Sequence, residues 1–233
     1  MNWSSIGIAG LYHLAFFGLL LPWSAIKSAR RLRENPYPPR RKYFLFVIGQ
    51  QVFFLLLSLF VARVEWIRVF TWPENLWSFA LAAGVLLALI AVMLPRWRKA
   101  VEKRERRVYL FMSGEGKDRV LWVLISLLAG VGEELSYRCV MFVLLWRGTG
   151  SGIAAALLSA AVFGISHIVQ GWQSALVIGG FALVFQGLYW LSGSLLAPML
   201  VHFIYDVTAG VMYYRFGREL GYPSEPLSPT RFS

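Results

Sequence analysis

Long apolar runs separated by short basic segments make up most of this chain. The runs are roughly 20 residues long, the length at which an α-helix crosses a hydrocarbon core of about 30 Å. A backbone in lipid must satisfy its hydrogen bonds within its own segment, so such runs predict spanning helices. We expect about seven spans, at residues 5–25, 43–62, 76–94, 120–146, 152–169, 174–191 and 195–214.

The composition agrees with a membrane domain. Hydrophobic residues make up 58% of the 233 positions and charged residues 15%, whereas a soluble chain carries about 25% charged and 45–50% apolar residues. The spans leave no stretch that could build a separate soluble domain. The predicted fold class is therefore an all-α integral membrane protein of about seven transmembrane helices.

The net charge of +11 lies mainly in two short loops, residues 27–42 and 96–119. Such loops face the cytoplasm under the positive-inside rule, which predicts an outside N-terminus and a cytoplasmic C-terminus. No aromatic-plus-basic recognition module accompanies the charge, which argues against nucleic-acid binding. A lipid bilayer is the expected surrounding, and a prokaryotic plasma membrane is the expected location.

Three regions follow from this pattern. Residues 1–118 form an N-terminal region of three spans with two basic cytoplasmic loops, and residues 119–214 form a core of four spans. Residues 215–233 contain three prolines and predict an irregular tail.

Ionisable residues within apolar spans are the informative ones, because a charged side chain at membrane depth costs about 2.5–3.5 kcal/mol on insertion scales. They are concentrated in the last four spans: Glu133, Glu134, Arg138, His167, His202 and Asp206. Uncharged or isolated polar residues elsewhere in the spans are interpreted as interhelical hydrogen-bonding groups; they are His13, Gln50, Gln51 and Gln186.

Spacing separates the roles of the acidic pair. Glu134 and Arg138 are four residues apart, so on a helix they share a face and predict a structural ion pair. Glu133 is rotated by about 100° from its neighbour and has no cation at i+4, which leaves it available as a base.

The histidines complete a possible hydrolytic site, which predicts a polar catalytic cavity among the four C-terminal helices. His202 and Asp206 share a face, so Asp206 is expected either to orient the imidazole or to join it in holding an oxyanion. His167 shares a face with Phe163. In one cavity, Glu133 and His167 would deprotonate a water molecule while His202 donates to the developing oxyanion.

Three strings with this spacing resemble the motifs of the CAAX protease and bacteriocin-processing family of membrane proteins. Glu133-Glu134-Leu-Ser-Tyr-Arg138 resembles the EExxxR motif of the family. Phe163-Gly-Ile-Ser-His167 is similar to its second motif, FxxxH, and His202-Phe-Ile-Tyr-Asp206 to its third, HxxxN or HxxxD. They occur in the family's order, each on its own predicted span.

The resemblance implies a glutamate-dependent intramembrane endopeptidase that acts on a membrane-associated protein or peptide, with no cofactor or metal. Glu133 and His167 would activate water, and His202 and Asp206 would line the oxyanion site. Glu134, Arg138 and Phe163 would support them. Eukaryotic members have Asn at the last position, and an ionised Asp206 cannot donate to an oxyanion, so its role stays open between orienting His202 and being protonated.

Three alternatives remain. Two histidines and two carboxylates could bind zinc, although no HExxH pair is present. The same fold could serve a non-proteolytic scaffold or immunity protein. A proton-coupled carrier also uses acids at mid-membrane, but carriers usually show paired repeats, which we do not find. The sequence leaves open the oligomeric state and whether the substrate is prenylated, a leader peptide or a C-terminal anchor.

Overall fold

The computed structural model describes residues 3–69, 71–73 and 75–223, and these residues form a helical bundle in which no β-strand occurs. Its principal helices are α1 (Ile8–Glu34), α2 (Arg40–Val64), α3 (Trp77–Glu102), α4 (Gly116–Thr149), α5 (Gly152–Ser166), α6 (Trp172–Ser192) and α7 (Leu196–Glu219). Short helical turns lie at Trp3–Ser5, Val108–Phe111 and Ile168–Gln170.

Each predicted span corresponds to one of these helices, which confirms the all-α membrane fold. Within the described ranges, six helices are long and apolar enough to cross a membrane. Helix α5 differs, because its 15 residues rise only about 22 Å at 1.5 Å per residue. It ends before His167, and the chain then makes the turn Ile168–Gln170.

Helix α7 extends to Glu219, so the first residues of the segment predicted to be an irregular tail are helical. Residues 220–223 follow as a turn and irregular chain, and residues 224–233 lie outside the described residues.

Helix α4 is the centre of the bundle, and its middle is not regular. Residues Glu134–Met141 form a π-helical stretch between the α-helical segments Gly116–Glu133 and Phe142–Thr149. All eight residues of the stretch are buried. A π-helical insertion adds a residue to the turn and redirects the side chains that follow, and such insertions are frequent at functional sites.

The predicted N-terminal region packs directly against this stretch. One hydrophobic cluster joins Leu135, Cys139 and Val140 of α4 with Ile6 and Val61 from the N-terminal part of the chain. Leu195 and Met199 of the last helical hairpin complete the same cluster. The N-terminal part of the chain therefore shares this core with α4 and α7.

Two glycines permit close helix contacts beside the polar residues. A Cβ atom added to Gly130 of α4 would lie 2.9 Å from the backbone nitrogen of Phe203 in α7. One added to Gly164 of α5 would lie 2.7 Å from the carbonyl oxygen of Ala175 in α6. These contacts place α4 against α7, and α5 against α6, at backbone distance.

The two basic loops lie at one end of the bundle. The Arg106 guanidinium donates to the backbone carbonyl groups of Leu32, Arg33 and Asn35. The Tyr222 hydroxyl, which follows α7, donates to the carbonyl oxygen of Glu105. Both loops and the end of α7 therefore meet, as alternation of the predicted spans requires.

A buried carboxylate organises the opposite end. Glu65, which follows α2, accepts hydrogen bonds from the backbone N–H groups of Gly7 (3.2 Å) and Gly10 (2.9 Å). These donors belong to the first turn of α1, whose N–H groups have no partner inside the helix. Arg147 of α4 pairs with the same carboxylate at 3.4 Å, so one acid joins three helices.

Candidate active site

The structure brings the polar residues of α4, α5 and α7 together around one carboxylate oxygen. Glu133 Oε2 lies 3.7 Å from His167 Nε2 and 3.9 Å from His202 Nε2. Both separations exceed a direct hydrogen bond, and polar groups at such distances are often bridged by a water molecule.

His167 owes its orientation to the end of α5. Its Nδ1 lies 2.8 Å from the carbonyl oxygen of Phe163, one of the last carbonyl groups of the helix, which have no partner within it. A carbonyl oxygen can only accept, so Nδ1 carries the proton. In the neutral ring the Nε2 lone pair then faces Glu133, which suits a group that accepts a proton.

His202 is oriented by Glu134. Its Nδ1 lies 2.8 Å from Glu134 Oε1, and an ionised carboxylate can only accept, so Nδ1 donates this bond. Nε2 consequently points into the space between Glu133 and Asp206.

Asp206 lies one helical turn beyond His202, and its Oδ2 is 3.5 Å from His202 Nε2. Glu134, and not Asp206, contacts Nδ1 of the ring. Asp206 instead adjoins the nitrogen that faces the cavity. The Asp206 side chain is 29% exposed, more than the side chains of the glutamates, histidines and Arg138 around it.

Glu134 and Arg138 form the predicted ion pair, with Glu134 Oε2 3.2 Å from Arg138 Nε. Both side chains are buried. The Arg138 guanidinium lies 4.1 Å from the centre of the Phe163 ring, a cation–π distance. Phe163 also contacts the imidazole of His167, with 4.4 Å between ring centres, so it links the arginine to the histidine.

The π-helical stretch is supported from α1 and α2. His13 Nε2 lies 3.2 Å from the Ser136 carbonyl oxygen and donates to it. The Ser136 hydroxyl donates to the carbonyl oxygen of Gly132 at 2.6 Å and lies 2.7 Å from the Ser58 hydroxyl. The interpretation of His13 as an interhelical hydrogen-bonding group fits this contact.

Sequence reasoning gave no place in the site to Gln51. Its side-chain Nε2 donates to Glu133 Oε1 at 2.6 Å. The available signal was a glutamine in an apolar span, a feature that is common where helices merely hydrogen-bond to each other. Only the tertiary contact distinguishes Gln51 from Gln50.

Four polar residues line a cavity of about 1300 Å³ and are called the catalytic group below: Glu133, His167, His202 and Asp206. The same cavity extends to the end of the bundle that carries the basic loops. There its lining includes Arg31, Lys42, Arg96, Lys99 and Lys103. Within the described part of the chain, no three His, Cys, Asp or Glu side chains are arranged to hold a metal ion.

Fold and site together define the class: a polytopic helical membrane protein whose internal cavity contains a carboxylate flanked by two histidines. Residues 116–208 match the family model described as Type II CAAX prenyl endopeptidase Rce1-like. The matched region contains all three motifs and confirms the resemblance of this part of the chain to that family. No curated protein and no solved structure matched the chain.

Proposed function

We propose that this protein is an intramembrane endopeptidase that hydrolyses a peptide bond of a membrane-associated protein or peptide with water activated by Glu133 and His167. The observation that supports it best is the position of Glu133 Oε2, within 4 Å of Nε2 of both histidines. A carboxylate and an imidazole at this separation can both reach one water molecule.

In the first step, the water gives a proton to the Glu133–His167 pair while its oxygen attacks the carbonyl carbon of the scissile bond. The tautomer of His167 suits this step, because its Nε2 is free to accept. General base catalysis of this kind contributes about 10²–10⁴-fold. The same proton is then delivered to the leaving nitrogen as the C–N bond breaks.

His202 has the geometry to stabilise the oxyanion. Since Nδ1 donates to Glu134, Nε2 can donate to an oxyanion only in the imidazolium form. An imidazolium beside a developing negative charge in a site shielded from water provides electrostatic stabilisation. Asp206, 3.5 Å from Nε2, is assigned the role of holding that proton toward the cavity.

The cavity suggests how the substrate reaches these residues. It joins the catalytic group to the end with the basic loops, which we assign to the cytoplasm by the positive-inside rule. The scissile segment would enter from this side. The proposal leaves the anchor of the substrate open, whether lipid-modified, a leader segment or a C-terminal helix.

Comparison of wild-type cells with cells that carry Glu133→Ala, at matched membrane abundance, tests the proposal. We expect uncleaved precursors to accumulate in the variant, read by mass spectrometry of membrane-associated peptides, with cleavage lowered by about 10²–10⁴-fold. Glu102→Ala is the matched control, because Glu102 is an exposed acid that pairs with Arg98 outside the catalytic group.

Two results would contradict the proposed endopeptidase mechanism and favour another function. An unchanged peptide profile in Glu133→Ala, combined with a phenotype on deletion of the protein, would favour the scaffold or immunity function. Cleavage that a chelator abolishes and zinc restores would favour a zinc protease.

A further inference from the structure

Glu133 uses its two carboxylate oxygens for different partners. Oε2 faces the Nε2 atoms of His167 and His202, and Oε1 accepts a 2.6 Å hydrogen bond from Gln51. The division matters because the last torsion of a glutamate side chain is broad. The rotamer of Glu133 therefore does not by itself fix the direction of its oxygens.

Gln51 is built to make this one bond. Gln51 is 6% exposed, and the oxygen of its side-chain amide, Oε1, has no hydrogen-bond partner among the described residues. A glutamine whose purpose is to join two helices would use both ends of its amide, since an unpaired buried polar atom is costly. Only the donor end of Gln51 is used, and it is directed at Glu133.

The backbone beside Glu133 accommodates the amide. A Cβ atom on Gly132 would lie 3.6 Å from Gln51 Oε1 and 3.5 Å from the backbone carbonyl oxygen of Gln51, which are ordinary contact distances, so Gln51 of α2 lies directly against α4 beside Glu133. Gln51 belongs to α2, outside the matched region 116–208. The N-terminal helices thus contribute to a site whose motifs all lie on later helices.

We propose that Gln51 is a positioning residue for hydrolysis: its amide holds Oε1 of Glu133 so that Oε2 is presented to the water and both histidines. This inference rests on the proposed endopeptidase function. It adds a residue that acts through Glu133 and does not touch the substrate. Displacement of a catalytic group by about 1 Å can cost on the order of 10²-fold in rate.

Gln51→Met tests the inference, because methionine keeps an unbranched side chain of similar length and removes the donor. Gln186→Met is the matched control: Gln186 is likewise a buried glutamine in a membrane helix, α6, and it is not among the residues that line the cavity. Full-length variants in detergent would be assayed with an internally quenched farnesylated CAAX peptide. We expect Gln51→Met to lower kcat by about 10–100-fold with KM within about 2-fold of wild type, and Gln186→Met to leave both unchanged.

Gln51→Asn keeps a buried amide but withdraws it from Glu133, and it covers the case in which Gln51→Met folds poorly. A positioning role predicts a loss of kcat in Gln51→Asn similar to that in Gln51→Met. A merely structural need for an amide in α2 predicts near wild-type kcat in Gln51→Asn, and that result would overturn the inference.

Infrared difference spectroscopy separates this inference from the proposed function, because it needs no substrate. The carboxylate stretch of Glu133 is the band lost in Glu133→Gln, and we expect it to shift in Gln51→Met but not in Gln186→Met. An unshifted band, or an unchanged kcat in a protein that Glu133→Ala inactivates, rejects the role of Gln51. Cleavage that persists in Glu133→Ala rejects the proposed function instead, whatever the band does.

Discussion

The Glu134 carboxylate makes two contacts with different roles. One oxygen lies beside the buried Arg138 guanidinium, and the other accepts the hydrogen bond from His202 Nδ1. The pair thus balances charge in the bundle interior, while the same carboxylate sets which nitrogen of His202 faces the cavity. The second contact links a supporting ion pair to the proposed chemistry.

Glu134→Leu is expected to destabilise the protein by about 3–5 kcal/mol, because it leaves Arg138 buried without its partner. The double variant Glu134→Leu/Arg138→Met should regain most of that stability, since no unpaired charge remains. Thermal unfolding in detergent measures both effects.

Activity should not follow stability in this pair of variants. His202 lacks its carboxylate acceptor in both, so cleavage should remain low even in the stable double variant. A double variant with wild-type cleavage would show that Glu134 matters only through Arg138.

At the scale of whole helices, close packing of α4 on α7 brings the acidic pair to His202. Gly130 makes this approach possible, because a side chain there would meet the backbone of Phe203, the residue after His202. Helix α5 makes a different contribution. It ends at Ser166, and the free carbonyl group of its last turn fixes the tautomer of His167.

Gly130→Val should separate α4 from α7 and lengthen the contact between Glu134 and His202. We expect a loss of stability of about 1–3 kcal/mol from overpacking, together with a marked fall in cleavage. Gly84→Val is the control: Gly84 lies within α3, and a Cβ atom there meets nothing within 4 Å. Equal losses in both variants would mean that valine harms the helices through its backbone preference and not through packing.

At the scale of the whole molecule, the basic loops lie at the end of the bundle to which the internal cavity extends. Both basic loops and the end of α7 meet there, and the cavity from the catalytic group reaches the same end. The cavity therefore offers an approach to the catalytic group from the end with the basic loops, and under the proposed function the sidedness of these loops determines the compartment from which a substrate arrives.

Single cysteines labelled in intact and permeabilised cells measure this sidedness. With Cys139 buried, we expect Asn75→Cys to react with an impermeant maleimide in intact cells, and Glu34→Cys and Lys103→Cys only after permeabilisation. All three positions are exposed. The reverse pattern would invert the orientation, and labelling of Glu34→Cys and Lys103→Cys from different sides would contradict the arrangement of the loops.

The membrane fold was predictable from the sequence alone, because the length and apolarity of each run meet a requirement that the bilayer imposes locally. It also identified Glu133, His167, His202 and Asp206 as candidates, since ionisable groups in such runs are costly and the motif spacing adds a family resemblance. The Glu134–Arg138 pair was predictable for the same reason, as four residues separate its members on one helix.

Two contacts could not be predicted from the sequence and were seen only in the folded structure. They are the contact of Glu134 with His202 and that of Gln51 with Glu133. Residues 51 and 133, or 134 and 202, are far apart in the chain, and their contacts depend on which helices pack and at what depth. Two further local features, the π-helical stretch after Glu133 and the early end of α5, set the directions of the side chains. Neither follows from hydrophobic periodicity, because that pattern predicts where a helix lies and not its internal hydrogen-bonding pattern or its last residue.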